Sequence, residues 1–150
     1  MTAETDLIKL YSGRILALTA EIPHLGRLDA PDGSARKRSP LCGSTVTADV
    51  RIEDGRVAEF AQDVKACALG QASAAILGAE AIGLDEATLA RGRDQLKAML
   101  KEGGPVPDAP FAELEVLEPA RDYKNRHPSI LLAFEAILAA MEEARAARSA

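Results

Sequence analysis

Two residues in this sequence carry chemistry that ordinary surface side chains do not: Cys42, in SPLCGS, and Cys67, in VKACALGQAS. A thiolate is a nucleophile, a sulfur acceptor and a soft metal ligand. The plainer reading of either residue is a small buried hydrophobe. Position is what raises them above it. Between them, Val46, Ala48, Val50 and Ile52 alternate with Thr45, Thr47, Asp49 and Arg51, the pattern of a half-buried strand. Glu-Asp-Gly-Arg follows, and Asp-Gly favours a tight hairpin turn. The returning strand, VAEFAQDV, places Ala58, Phe60 and Val64 on one face. Cys42 thus stands at the mouth of a hairpin and Cys67 just past its far end, and antiparallel pairing brings the two ends together. Cys67 also falls in the first turn of an Ala-rich helix from about Ala66 to Ile82, where the helix N-terminus favours a thiolate.

The rest of the chain supplies the frame. Asp6 to Glu21 reads as a helix, with Ile8, Tyr11, Ile15, Leu18 and Ile22 on one face and Pro23 as its stop. The Gly-, Pro- and Asp-rich stretch that follows is a loop, whose end can add a short edge strand. Gly83 closes the Ala-rich helix, and Asp85 caps an amphipathic one that ends at Gly103 and Gly104. A short helix is expected around Phe111 to Leu117. Pro128 opens a long last helix striped by Ile130, Leu131, Phe134, Ile137, Leu138 and Met141, with a frayed tail, ARAARSA. Helix, two or three antiparallel strands and then helices predict a single α+β domain, residues 1–150, with the helices packed on one face of a small antiparallel sheet.

Composition narrows the function. The net charge of −5 disfavours non-specific binding to nucleic acid or acidic membranes. The one basic cluster, Ala35 to Ser39, is too small to reverse that. No apolar run approaches the ~20 residues of a membrane span. The N-terminus has no secretory signal pattern, and two cysteines make no disulfide framework, so a cytoplasmic protein with reduced thiols is expected.

Three stretches, SPLCGS, VKACALGQAS and NRHPSILLAFEAI, resemble the landmarks of IscU/SufU-type iron–sulfur cluster assembly scaffolds, the family that includes the N-terminal domain of NifU. The resemblance runs over nearly the whole chain; LYSGRIL and APDGSARKRSPLCG fit its SufU-like branch. It implies an α+β fold with a three-stranded antiparallel sheet. It also implies a scaffold rather than a conventional enzyme, with a cysteine desulfurase and cluster-receiving proteins as partners, and an iron–sulfur cluster or zinc as the bound group. The chain departs from the family pattern at the ligands. Ser44 stands in place of the aspartate after the first cysteine, and Lys65 and Ala66 replace glycines before Cys67. Ungapped, Ser129 takes the third cysteine's place; a one-residue shift puts Pro128 there and matches His127 to a family histidine.

Two of four family ligand positions therefore remain, Cys42 and Cys67, and a serine hydroxyl is a poor ligand at neutral pH. Three repairs are open. His127 could be a third ligand, imidazole suiting zinc and iron. A two-fold dimer could pool Cys42 and Cys67 from both subunits. Or metal is lost and the fold serves as an interaction or regulatory protein. The bland readings stand beside these: His127 as a solvent-facing residue ahead of the helix, Ser129 as an ordinary first-turn residue, Asp63 and Lys65 as exposed strand-end charges. A small thiol enzyme that accepts sulfur on Cys67 is a further option, without a general base nearby in sequence. His24 is given no role.

Overall fold

The structure, a computed structural model, describes residues 12–149. The start expected for the first helix, with Ile8 and Tyr11, lies outside them. Within them, helix α1 spans Gly13–Ala20, capped by Ser12, whose hydroxyl accepts from the Ile15 amide, and it buries Ile15 completely. The end of the following loop does form an edge strand, β1 (Gly33–Arg38). Strands β2 (Thr45–Glu53) and β3 (Arg56–Lys65) form the hairpin, with Asp54 and Gly55 both at positive φ as a tight turn of this kind requires. The sheet order is β1-β2-β3, antiparallel throughout. Helices α2 (Ala68–Glu80), α3 (Glu86–Glu102) and α4 (His127–Ser149) follow, with a 3-10 segment at Ala112–Asp122 before α4. The α+β expectation, with its three-stranded antiparallel sheet, holds.

The core-facing residues of β2 are the four expected, Val46, Ala48, Val50 and Ile52, and α4 lies across them. All six residues of the α4 stripe are buried. The approach is close where α4 crosses β1: a Cβ on Gly33 would stand 2.0 Å from the Ala140 carbonyl oxygen and 2.8 Å from the Ala144 amide nitrogen. A side chain there has no room, since both atoms are backbone. This contact also corrects the tail: the chain stays helical through Ser149, because Ala144 is buried against the sheet and Arg145 pairs with Glu86 of α3. Asp85 caps α3 as expected, accepting from the Thr88 amide at 2.9 Å, and Gly103 ends it in the left-handed conformation.

Two features of the sheet depart from simple alternation. The register shifts between Arg51 and Ile52, so Ala58 has no partner in β2. Val57 then faces Ile52 in the core at 1% exposure, while Ala58, expected inside, is only half-buried; Val64 keeps its expected face opposite Val46 and packs half-buried against the core. The bulge reverses the pattern by inserting one residue. The second departure is Asp49, expected to face solvent but fully buried. The loop after α1 folds over it. Arg27 donates to both carboxylate oxygens at 2.7 and 3.1 Å, the Leu28 amide donates at 3.0 Å, and the Ser34 hydroxyl donates too. Burial pushes the Asp49 carboxyl up, and these bonds more than offset it, leaving the pKa below the usual carboxylate value. The same loop pairs Leu25 with Gln62 and so covers the outer edge of β3.

Asp49→Ala should therefore lower stability by about 1–3 kcal/mol, because it leaves the Leu28 amide and Ser34 hydroxyl without their acceptor while the exposed Arg27 turns to water. The depressed pKa means the stabilisation is full above the unfolded carboxyl's ~3.9 and fades as pH falls through the folded value. Urea unfolding at pH 7 and pH 3 checks both: the difference between parent and variant should shrink at the lower pH.

Candidate thiolate site

Cys42 sits at the tip of a turn that the sequence closes twice. The Gly43 amide donates to the Ser39 carbonyl at 2.8 Å, and the Ser39 amide donates to the Ser44 carbonyl at 2.8 Å. Gly43 has φ +72, a left-handed conformation that glycine takes without strain. The result sets the buried Ser39 and Ser44 side by side beneath an exposed Cys42.

The first turn of α4 brings the third side chain. Ser129 is buried at 1% exposure, and its Oγ lies 2.5 Å from Cys42 Sγ and 3.1 Å from Ser44 Oγ. Ser44 Oγ and Ser39 Oγ lie 3.1 and 3.4 Å from the same sulfur. Three hydroxyls therefore converge on one thiol. In the thiol form Cys42 donates to Ser39 and Ser129 donates to Ser44. Ionisation removes the sulfur's own proton and lets each hydroxyl, which carries one, turn toward the anion. Partial burial pushes the Cys42 pKa up, but the bonds from Ser129, Ser39 and Ser44, with the Ser44 backbone, outweigh it and bring the pKa from 9.0 down to about 6. The hydroxyls thus favour the thiolate form of an exposed Cys42 at neutral pH.

Cys67 caps α2 at its N-terminus, half-buried, and its side chain makes no capping bond. The hairpin brings it round as expected: Thr45, close after Cys42, pairs with Lys65, just before Cys67. Gly70, in the first turn of α2, packs so near α4 that a Cβ would be 3.0 Å from the Ser129 carbonyl oxygen. Cys42 is thus bonded to the Ser129 hydroxyl, and Cys67 begins the helix whose Gly70 abuts the Ser129 backbone. Asp63 and Lys65 are exposed, as their plain reading holds.

His127 answers to neither expectation. It is buried at 2% exposure, not solvent-facing, and its Nε2 lies 3.0 Å from the Ala120 carbonyl oxygen. That contact ties the start of α4 to the end of the 3-10 segment. Among the described residues no three His, Cys, Asp or Glu side chains gather into a metal-holding group, so Cys42, Cys67 and His127 do not form the expected ligand set. Two thiols and a ring of neutral hydroxyls do not fit an autonomous zinc or four-thiolate cluster site.

The role of the serines is what the sequence reading missed. Sequence reasoning gives Ser44 and Ser129 as lost ligands and gives Ser39 no role. The available signal was the pair of serines flanking Cys42, three residues before it and two after.

No protein-family model and no curated protein matches the sequence. Solved structures do. The chain is 42% identical to the N-terminal part of a nitrogen-fixing NifU-like protein from Brucella abortus, over 94% of this chain and 98% of that one, with a TM-score of 0.91. A putative iron–sulfur cluster assembly scaffold protein for the SUF system, from the thermophile Fervidobacterium islandicum, shares the fold at a TM-score of 0.80 and 16% identity, over 89% of this chain and 98% of that one. With a sheet, helices and a cysteine turn laid out as the landmarks implied, and a relative so similar over nearly its whole length, the chain belongs to the NifU-like, IscU/SufU-type family and has the fold of the iron–sulfur cluster assembly scaffolds.

Proposed function

We propose that this protein works in iron–sulfur cluster assembly as an acceptor and carrier of sulfur, with Cys42 as the accepting thiolate. The observation that carries this reading is the convergence of Ser39, Ser44 and Ser129 on an exposed Cys42 whose pKa lies near 6. The donor is a cysteine desulfurase, whose active cysteine carries a persulfide. The Cys42 thiolate attacks the outer sulfur of that persulfide. A new S–S bond forms on Cys42 as the donor's S–S bond breaks, and the donor cysteine leaves as a thiolate. The proton on the outer sulfur travels with it, so no oxidant or reductant is consumed. The three hydroxyls serve before the reaction, by keeping the nucleophile ionised and aimed outward. Cys67, at the start of the helix that abuts Ser129, receives the sulfur next or holds the other side of a bridging cargo. A metal or cluster as cargo would draw its remaining ligands from a second copy or a partner, since the described residues gather too few.

The test is sulfur transfer itself. After incubation with a cysteine desulfurase and cysteine, mass spectrometry should find one added sulfur atom on Cys42 in the parent, and no transfer to position 42 in Cys42→Ser. Sulfur on no residue of the folded parent would leave the chain as an interaction or regulatory protein that keeps the scaffold fold.

A further inference from the structure

The basic side chains within Ala35 to Ser39 have no part in the thiolate chemistry, and the structure shows where Lys37 and Arg38 point. Lys37 and Arg38 reach the rim of a groove of about 300 Å³, whose opposite rim is Lys97 and Lys101 of α3. Lys97 and Lys101 are one helical turn apart and so share a face. All four cations are exposed, and none is in an ion pair among the described residues. The single acid at the groove, Glu135, lies 3.9 Å from Arg93. This is a concentrated positive site on a chain of net charge −5.

Its floor is apolar, with Leu131 and Leu132 of α4 and Pro128 at its head. Its remaining wall is Ser39 and Pro40, the base of the Cys42 turn. The groove therefore runs into the thiolate site: Ser39 lines it and also lies 3.4 Å from the Cys42 sulfur. Beside it Leu41 projects into solvent at 69% exposure, one of few large apolar side chains to do so.

The geometry points to this groove as the docking site for an acidic, leucine-bearing segment of the protein that exchanges sulfur with Cys42. The charge calls for an anion, and the apolar floor and the exposed Leu41 call for side chains that a free phosphate lacks. Continuity with the Cys42 turn puts whatever docks there within reach of the thiolate. The inference rests on the sulfur-acceptor reading for its purpose, but not for the binding itself.

The probe is a labelled peptide of alternating glutamate and leucine, titrated into the full-length protein. Binding should weaken with salt and shift the amide resonances of Lys97, Lys101, Leu131 and Leu132. Lys97→Glu with Lys101→Glu should weaken it by about tenfold, since rim charges steer and select an acidic partner. Lys37→Glu with Arg38→Glu, on the other rim, should do the same, and circular dichroism confirms that both pairs fold. Equal affinity for polyglutamate of the same length, preference for phosphatidylserine vesicles, or unchanged binding in both folded double variants would each overturn the inference. Cys42→Ser should leave peptide affinity intact. Failed sulfur transfer with intact peptide binding would thus sink the acceptor reading alone, and failed peptide binding with intact transfer would sink the docking groove alone.

Discussion

Cys42 will be alkylated by iodoacetamide along a pH curve centred near 6, and Ser129→Ala will move that curve upward. The experiment is run in a Cys67→Ala background so that only one thiol reports. The size of the effect follows from two opposing terms. At pH 6 a thiol of pKa 6 is half ionised, whereas an ordinary thiol near 8.5 is ionised to only ~0.3%, a difference of roughly a hundredfold or more. The lower-pKa thiolate is intrinsically weaker, by about tenfold for this gap. Cys42 should therefore react roughly ten times faster than an ordinary thiol at pH 6, and more slowly than one at pH 9. A hydrogen bond to a charged group is worth ~1.5–3 kcal/mol, and the lower end applies to an exposed sulfur. Ser129→Ala removes one such bond, and Ser129→Thr, which keeps the hydroxyl, should move the midpoint less than Ser129→Ala. The midpoint is the readout, because rising nucleophilicity partly masks lost ionisation in the raw rate. A parent midpoint near 8.5, with no response to Ser129→Ala, would remove the hydroxyl account.

The second large effect is a gain of function. Ser129→Cys with Ser44→Asp should turn a chain that gathers no metal-holding group among its described residues into one that binds zinc as a monomer. Cys42, position 129 and position 44 already meet within 3.1 Å of one another, so the new thiolate and carboxylate start in contact with Cys42. Cys67, at the start of the helix that abuts position 129, would complete three thiolates and a carboxylate, a set that suits tetrahedral zinc. The side chains need to open to bonds of ~2.3 Å around a common centre, a modest adjustment at an exposed turn. Zinc titration of the double variant should show tight one-to-one binding with proton release, against weak or no binding in the parent. A folded double variant that gains nothing would mean that Cys67 does not face the other three.

The sequence disclosed most of the frame and only part of the site. The hairpin was legible because Val46 to Ile52 alternate and Asp54-Gly55 admits few other turns. The α4 stripe was legible because its apolar residues recur at helical spacing. Asp49 was misplaced because alternation describes one sheet and knows nothing of a loop that folds back with Arg27. Val57 was missed because one inserted residue reverses a strand's pattern without marking itself. The tail of α4 looked frayed because small residues give little local signal, yet smallness is what lets Ala140 and Ala144 lie against Gly33. At the site, the convergence of Cys42 and position 129 followed from the family landmarks. Their chemistry did not: serine was weighed as a metal ligand, where it is weak, and not as a hydrogen-bond donor to sulfur, where it is effective. His127 was weighed by residue type, and only the packing shows its Nε2 against the Ala120 carbonyl.

On the proposed reading, hydroxyls and not a metal keep Cys42 ionised for sulfur acceptance. The most direct measurement is the mass of the Cys42 peptide after reaction with a cysteine desulfurase and cysteine, with and without a strong zinc chelator. One sulfur atom should be added to Cys42 at the same rate in both, and more slowly in Ser129→Ala at pH 6. Transfer that stops with the chelator and returns with added zinc, the desulfurase's own activity being unaffected, would contradict it.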